Sequence, residues 1–430
     1  MYGMNYLRRK LANHRMRVKT RYNYYDMKDT ERKPSIVIPN RLRELYRATL
    51  GWSTQVVDSV GDRLEVYKFT NDTYGMSDIF EANNPEVLFD SGFTGALIAG
   101  CSFIYIHKED GYPVMQVISA DNATGVMNPV TRTLTEGYAV LDRDRYGNAT
   151  LEAYFLPHVT WYYPKDEEPY AVEHAAPEPL LVPLVFKPDD HRPFGHSRIS
   201  RAIMSAQDMA IRTLERSEVS SEFYSFPQRY VLGRDSDSDE LDNYKAAVTL
   251  ILELTKNEDG SNPTVGQWAQ QSMAPFIEEV KLAASRIAGE SGMTLEDLGF
   301  PVTTPTSSEQ ARAAHSQLQA TIRRARRTLG AGFKSTGYLA ACIRDDEAYS
   351  RKILPRTKIL WEPNFEPDSA SLSGIGDGVL KINQAIPGYI GSEEMRQLTG
   401  ITGANRADNG EASQAPFLMP KPAEEAEDGE

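Results

Sequence analysis

Residues 293–306 read MTLEDLGFPVTTPT, and residues 308–344 read SEQARAAHSQLQATIRRARRTLGAGFKSTGYLAACIR. The first stretch contains Pro301 and Pro305, so it cannot be one helix, because proline lacks an amide donor and clashes with the preceding turn. In the second stretch apolar residues recur at steps of three and four, which predicts an amphipathic helix from about Ser308 to Arg344. The sequence therefore predicts a loop that leads directly into the longest helix of the chain. Three glycines could kink this helix: Gly330, Gly332 and Gly337.

Two more helices are predicted before the loop, over residues 196–224 and 275–291. Small residues recur at helical spacing in the first of them and would permit close approach of another helix: Ala202, Ala206, Ala210, Thr213 and Ser217. Phe226-Pro227 ends that helix. Residues 225–274 between the two helices contain a short predicted strand near Leu232, an acidic loop and turns.

The region before residue 196 mixes helices with strands. Helices are predicted over residues 40–60 and 85–99. The predicted strands cover residues 102–106, 113–118, 135–141, 149–156 and 159–163. The sequence DRDRYGN at 142–148 faintly suggests a calcium loop, but the twelfth position is Ala153, so a hairpin turn is the better interpretation. After the long helix, a strand at 357–363 and short helices at 378–385 and 392–398 complete an α+β chain.

Composition narrows the class of protein. Hydrophobic residues make up 40% and charged residues 25% of 430 residues, as in soluble globular proteins. No apolar run reaches the roughly 18 residues of a membrane span, and the first residues lack the apolar stretch of a secretory signal. Cys101 and Cys342 stand far apart, which indicates a reducing compartment and two buried small residues without a disulfide.

Charge is unevenly distributed along the chain. The formal net charge is −13, which argues against a tight grip on DNA phosphates. Residues 1–34 are nevertheless basic, and two interpretations stay open: a nucleic-acid arm, or an amphipathic arm laid on a neighbouring subunit. Residues 404–430 are acidic and poor in apolar residues, which predicts a disordered tail.

Motifs for catalysis and cofactor binding are weak. The sequence GAGFKST at 330–336 resembles a phosphate-binding loop, but Phe333 stands where a glycine must precede the lysine. His191 and His196 lie near Asp189 and Asp190, yet their spacing fits no helical metal pair, which favours solvated loop residues. We therefore expect no cofactor, no metal and no enzyme, although scattered carboxylates could still meet in the fold.

The long helix also carries a cluster of one charge sign, with almost no acids after Glu309. A solvated helix face usually mixes both signs, so this cluster implies a partner, either acidic groups on a neighbouring subunit or phosphate. The acidity of the rest of the chain favours a subunit. The candidate interface residues are Arg312, Arg323, Arg324, Arg326 and Arg327.

The order of these elements, over about residues 35–400, resembles the portal proteins of tailed phages, in the subfamily common in siphoviruses. The stretches that carry the resemblance are PFGHSRI at 193–199, LGFPV at 298–302 and SSEQA at 307–311. The resemblance implies an α+β portal fold. Its parts would be a basic arm (1–34), a wing (35–195, completed within 308–369), stem helices (196–224 and 275–291), a clip (225–274), a tunnel loop (292–307), a short crown (370–403) and the tail (404–430).

The resemblance also implies a function. Family members form a closed ring of about twelve subunits around a DNA channel at the capsid vertex, so the chain would occupy the virion after assembly in the host cytoplasm. Expected partners are the terminase large subunit, a head–tail adaptor, the major capsid and scaffolding proteins, and double-stranded DNA, without a membrane. Alternatives are another head or connector structural protein, or a DNA-packaging enzyme. The DNA-contacting loop residues would be Leu298, Gly299, Phe300, Pro301, Val302, Thr303 and Thr304.

Overall fold

The computed structural model of the chain describes residues 2–28, 46–225, 229–232, 264–267, 272–301, 315–362 and 369–399. By internal contacts the chain divides into two compact units, Met1–Asn364 and Phe365–Glu430. The site discussed below lies in the first unit. Within the described ranges, no helix has the length and apolarity needed to cross a bilayer.

The described helices are spread along the whole chain. They are α1 (Met4–Tyr25), α2 (Trp52–Gly61), α3 (Met76–Glu81), α4 (Pro85–Ala99), α5 (Arg201–Ser225), α6 (Ala274–Ser291), α7 (Ser316–Asp345), α8 (Ser369–Ala385) and α9 (Ser392–Thr399). Short 3₁₀ turns occur at Glu296–Leu298 and Leu354–Arg356.

The strands are all antiparallel. They are β1 (Val66–Thr70), β2 (Cys101–Glu109), β3 (Tyr112–Ser119), β4 (Ala123–Met127), β5 (Leu134–Arg143), β6 (Ala149–Leu156), β7 (Val159–Pro164), β8 (Tyr170–Glu173), β9 (Leu181–Val185), β10 (Arg229–Leu232), β11 (Thr264–Gln267) and β12 (Lys358–Trp361). They form sheets in the orders β3-β2-β9, β4-β5-β6-β7-β8, β1-β12 and β10-β11. Antiparallel strands with separate helices confirm the α+β class.

The five strands predicted between residues 102 and 163 are confirmed as β2, β3, β5, β6 and β7. Residues 142–148 form the β5–β6 hairpin turn, in which the Asp144 carboxylate accepts hydrogen bonds from the amides of Tyr146 and Asn148. The prolines at 183, 188 and 193 predict a loop over residues 183–193, but this is wrong for its first residues, because β9 includes Pro183. There Pro183 lies opposite Phe103, and β9 is an edge strand that needs no amide donor on its open side.

The main core lies between α4, α7 and the three-stranded sheet. Phe333 of α7 meets the rings of Phe89 and Phe93 at centroid distances of 4.7 and 5.1 Å. Two glycines allow this approach. A Cβ on Gly92 would lie 2.8 Å from Leu184 Cδ1, and one on Gly332 would lie 2.6 Å from Leu184 Cδ2. The glycines of α7 therefore serve close packing, and the helix continues through them without a break.

A second core joins α5 and α6. Ile203, Ala206 and Ala210 of α5 pack with a group on α6, namely Ala283, Ala284, Ile287 and Ala288. Further along α5, Leu214 and Ser217 face Phe276 and Val280 of α6, so the helices run antiparallel. This pair corresponds to the two predicted helices that bracket the insert. Within the insert, β10 pairs with β11.

The first predicted stem helix begins later than expected, at Arg201 and not at residue 196. The backbone before it is bonded to other elements. The amide of His196 donates to the carbonyl of Phe186, and the amide of Arg198 donates to that of Leu97. The helix expected from Asn40 begins at Trp52, with residues 46–51 non-helical and 29–45 outside the described ranges. The long helix begins at Ser316 in the described part.

The basic N-terminal segment is a helix that packs on its own chain. Leu7 and Leu11 of α1 are buried against Tyr138, Val140 and Tyr154 of the five-stranded sheet. The Tyr24 hydroxyl donates to the Asp208 carboxylate of α5 at 2.8 Å. The apolar side of α1 is thus used within the subunit, which corrects the expectation of an amphipathic arm laid on a neighbour.

The second unit contributes two helices, α8 and α9. The expected helix at 378–385 is longer, because α8 begins at Ser369, and the one at 392–398 is confirmed as α9. Between them the Asn383 side chain donates to the carbonyl of Ile390 and accepts from its amide, both at 2.9 Å. The predicted tail, 404–430, lies outside the described residues.

Candidate functional site

The predicted tunnel loop is anchored where it leaves α6. Gly292 ends α6 with a positive φ of 75°, which a residue without a side chain adopts easily. The amide and hydroxyl of Thr294 then donate to Asp297 Oδ2 at 2.7 and 2.9 Å, which holds the 3₁₀ turn. Asp297 Oδ2 also lies 3.7 Å from Nδ1 of His315, just before α7. The two ends of the segment are therefore close together.

The first part of this loop is packed and not free. Leu298 is 4% exposed in the core between the stem helices and α2, and the half-buried Phe300 ring lies 6.4 Å from that of Trp52. Burial of Met293 and Leu298 fixes the first turns of the segment, so Leu298 is not exposed for the DNA contact expected of it. Gly299 and Pro301 are exposed. The remaining candidates, Val302, Thr303 and Thr304, lie outside the described residues.

The arginine cluster separates into two groups. Arg326 is used inside its own subunit: Nη2 donates to the carbonyl of Arg63 at 2.8 Å and to that of Glu362 at 2.5 Å. Its guanidinium also lies over the Trp361 ring at 5.4 Å. Burial lowers the pKa of Arg326 to about 10. Arg326 therefore links α7 to β12 and is removed from the interface candidates.

The spacing of apolar residues along α7 already distinguishes Arg326 from the exposed arginines. Arg326 follows the buried Ile322 by four residues and precedes Gly330, which packs on Trp361, by four. It thus lies on the apolar stripe of α7. Arg323, Arg324 and Arg327 are exposed, in agreement with an interface role, and Arg312 lies outside the described residues.

Arg324 and Arg327 border a groove of about 800 Å³. Its walls are α7, the β4–β5 turn and the segment from Glu178 to Pro193. Leu181, Val182 and Leu339 contribute an apolar floor, and the rim is rich in cations. We name the cationic rim residues of this groove, Arg132, Arg324, Arg327 and Lys334, the basic surface.

Two of the three acids that line the groove are engaged at short distance, and the third, Asp190, is exposed and accepts a hydrogen bond from the amide of His191 at 3.0 Å. Glu178 accepts two hydrogen bonds from Arg351, each at 2.8 Å, and Asp189 lies 2.6 Å from Nε2 of His196. The contact with His196, with a backbone bond from Arg192, lowers the pKa of Asp189. Burial lowers the pKa of Lys334, whose Nζ donates to the carbonyl of Thr357 at 3.4 Å.

The histidine pair is thus part of a loop and not of a metal centre. In the described part of the chain, no three His, Cys, Asp or Glu side chains come together in a way that could hold a metal ion. Residues 330–336, which resemble a phosphate-binding loop, lie inside α7. Both cysteines are buried and unbridged.

One buried acid was missed by sequence reasoning. Glu136 of β5 is 3% exposed and accepts hydrogen bonds from the amides of Tyr2 and Gly3 at 2.7 and 2.9 Å, and from the Tyr154 hydroxyl at 2.8 Å. Burial alone would raise the pKa of Glu136, but these bonds and the nearby terminal amino group lower it. Glu136 anchors the start of α1, and only its position inside a strand hinted at burial.

Comparison with known proteins identifies close counterparts in sequence. No family model matches the chain. The portal protein of Mycobacterium phage L5 is 25% identical over 398 residues, which cover 84% of this chain and 80% of that protein. The portal protein of Mycobacterium phage D29 is 24% identical over 415 residues, 90% of this chain and 83% of that protein.

Solved structures with a similar fold come from gene transfer agent (GTA) particles. A chain of the virion of the native particle is 13% identical with a TM-score of 0.47, over 90% of this chain and all of that one. A chain of the neck of the empty particle is 14% identical with a TM-score of 0.47, over 86% and 96% of the two chains. The sequence matches to two portal proteins run over most of both partners. The chain is therefore similar to phage portal proteins over most of its length.

Proposed function

We propose that this portal chain assembles with further copies of itself into a closed ring of about twelve subunits at the capsid vertex. Double-stranded DNA would pass through the central channel during packaging and ejection. The observation that carries the proposal is the similarity to two portal proteins over more than four fifths of this chain. The chain would act as a structural subunit, without a catalytic role.

The described elements are compatible with this role. The paired helices α5 and α6 would form the stem, and the insert that contains β10 and β11 would form the clip. We propose that the clip contacts the terminase large subunit during packaging and a head–tail adaptor afterwards, and that outer surfaces contact the major capsid and scaffolding proteins. The net charge of −13 suits a channel through which DNA must slide without being held.

We propose fewer residues of the tunnel loop for contact with DNA than the sequence did. Leu298 and Phe300 pack with the core of α5, α6 and α2, so DNA contact would fall to the exposed Gly299 and Pro301 and to the residues after them, Val302, Thr303 and Thr304. The contact at Asp297 and His315 keeps the two ends of this excursion together. A loop held at both ends and uncharged at its tip would touch DNA sterically without binding it.

The proposal is tested by the size and shape of the purified chain. We expect negative-stain images to show rings with a central hole, and mass measurement to give a single large oligomer of about twelve copies. A stable monomer at high protein concentration would contradict the proposal. Turnover of ATP by the chain alone would favour the packaging-enzyme alternative.

A further inference from the structure

We infer that the basic surface on α7 docks into an acidic groove on the next copy of the chain. The inference rests on the proposed ring and names the two surfaces that would form one of its contacts. It follows from three observations in the described part of the chain: a groove whose five carboxylates form no ion pair, a second groove whose exposed Arg324 and Arg327 form none, and their placement on opposite sides of α7.

The acidic groove lies beside β1. It has a volume of about 470 Å³ and is bounded by β1, the end of α2, and α3 and α4. Its floor is aromatic, with Phe69, Phe80 and Phe89 nearly buried. Five carboxylates surround the floor against one cation, Lys68. All five carboxylates are exposed on the rim of the groove, which is called the acidic groove because of them: Asp62, Glu65, Glu81, Glu86 and Asp90.

These carboxylates produce a negative potential that the described part of the chain leaves uncompensated. No ion pair to any of the five is formed within the described ranges. Their effect is visible on a neighbour. The pKa of Asp58 is raised, first by burial and then by the charges of Asp62 and Asp90, although a hydrogen bond from Tyr25 opposes the rise. A cationic partner would relieve this repulsion.

The basic surface is the counterpart in sign and shape. The helix that carries it has no acid between Ser316 and Ile343, while Arg324, Arg327 and Lys334 point to one groove. Of the three acids of that groove, Glu178 and Asp189 are engaged with Arg351 and His196 at hydrogen-bond distance, so Asp190 alone stands against the cations of the basic surface. Both grooves combine an apolar floor with a charged rim, the usual composition of a protein–protein contact.

The two surfaces face away from each other across α7. Gly330 and Phe333 lie on the side of Trp361 and Phe89, and Phe89 also lines the acidic groove. Other α7 residues, Thr328, Ala331 and Ser335, line the basic groove. A rotation that places the basic surface of one copy on the acidic groove of the next can be repeated, which is the heterologous contact that closes a ring. DNA phosphate would satisfy only the basic half.

Charge reversal tests the pairing on the full-length chain. Arg324→Glu with Arg327→Glu makes the basic surface acidic, and Glu86→Lys with Asp90→Lys makes the acidic groove basic. We expect either pair alone to reduce the ring fraction at least about tenfold, because like charges would then face each other at every contact. The four substitutions combined in one chain should restore rings to within about threefold of wild type.

Mixing the two reversed chains gives a second readout. Each chain alone repels itself, but an equimolar mixture can alternate around a ring with an even number of subunits, so we expect rings to reappear. The matched control is Arg9→Glu with Arg17→Glu, which changes the charge equally at exposed positions of α1 that border neither groove. Circular dichroism and thermal melting should show that every variant is folded.

Each remaining outcome overturns the inference. Normal rings from both reversed pairs would exclude this contact, and a loss of duplex-DNA binding by Arg324→Glu with Arg327→Glu would then assign the basic surface to phosphate. Loss of rings that neither the mixture nor the combined variant restores would mean that the two surfaces do not meet. A wild-type chain that forms no ring contradicts the proposed function itself, so the two failures are distinguishable.

Discussion

Two regions, called the wing and the stem below after their proposed roles, bury apolar side chains in different ways: the α/β region before residue 196 with α7, and the helix pair α5 and α6. In the wing, four phenylalanines from α3, α4 and α7 pack ring to ring beside a sheet: Phe80, Phe89, Phe93 and Phe333. In the stem, α5 and α6 meet through alanines and two isoleucines. The wing therefore encloses large apolar side chains within one subunit, whereas the stem buries small ones.

The stem also leaves apolar groups in solvent. Ile277 and Leu282 of α6 are 63% and 57% exposed. Beside them lies a hollow of about 330 Å³ with an almost wholly apolar lining, which includes Leu214, Phe276 and Phe300. Two paired helices cover only one face of each other. Apolar side chains on their outer faces stay exposed unless a further layer packs on them. The comparison shows that the wing is packed by its own contacts, whereas the stem needs a further surface to cover its exposed apolar side chains.

The largest expected effect is in the wing. Phe333→Ala removes a fully buried ring that contacts three others, and α7 cannot collapse into the space because its glycines already bring it close to Leu184. We expect a loss of about 3–5 kcal/mol in the free energy of unfolding, measured by urea denaturation. Val130→Ala, at a position 87% exposed, is the control and should change it by less than about 0.5 kcal/mol. A similarly small loss for Phe333→Ala would refute the packed core.

An intermediate effect is expected where α1 meets the wing. Glu136→Gln keeps the shape but weakens three hydrogen bonds to a buried carboxylate, so we expect a loss of about 1–3 kcal/mol at pH 7. Hydrogen exchange should then be faster in the first turns of α1 than in α4. Glu173→Gln on the exposed strand β8 is the control and should leave both measurements unchanged.

The same site predicts a pH dependence. The pKa of Glu136 is lowered from 4.5 in the folded chain, so its contribution to stability is present above that value and is lost as the pH falls below it. The difference in unfolding free energy between wild type and Glu136→Gln should therefore shrink between about pH 5 and pH 3. A difference that stays constant over this interval would show that the carboxylate charge has no part in the anchor.

The smallest effect on subunit stability is expected in the stem, where it sharpens the comparison. Ile277→Ser with Leu282→Ser alters exposed side chains, so the unfolding free energy of the monomer should change by less than about 0.5 kcal/mol. Assembly into rings should nevertheless fall, because a neighbour would bury these groups. The control is Lys281→Ser on the same helix. Normal assembly by the double variant would show that this face of the stem stays in solvent.

Several features of the fold were predictable because their signals are local. The periodicity of α7 and the prolines of the preceding loop depend on neighbouring residues, as does the alternation in the predicted strands β2, β3, β5, β6 and β7. The start of α5 was not predictable, because the backbone of residues 196–198 bonds to Phe186 and Leu97, which are remote in sequence. The same reason hid the packed state of Leu298, whose contacts include Trp52 on a distant helix.

The sequence by itself determined the order of the elements, a helix pair around an insert and then a loop and one long helix, because helix periodicity and proline act over a few residues. It also determined that every charged residue between Ser316 and Ile343 is basic. Spacing placed Arg326 on the apolar stripe of α7, but only the tertiary structure decided its partners, Trp361 and the carbonyl of Arg63. It also decided that α1 lies on the wing and that two grooves of opposite charge face apart, because these depend on contacts between residues far apart in the chain.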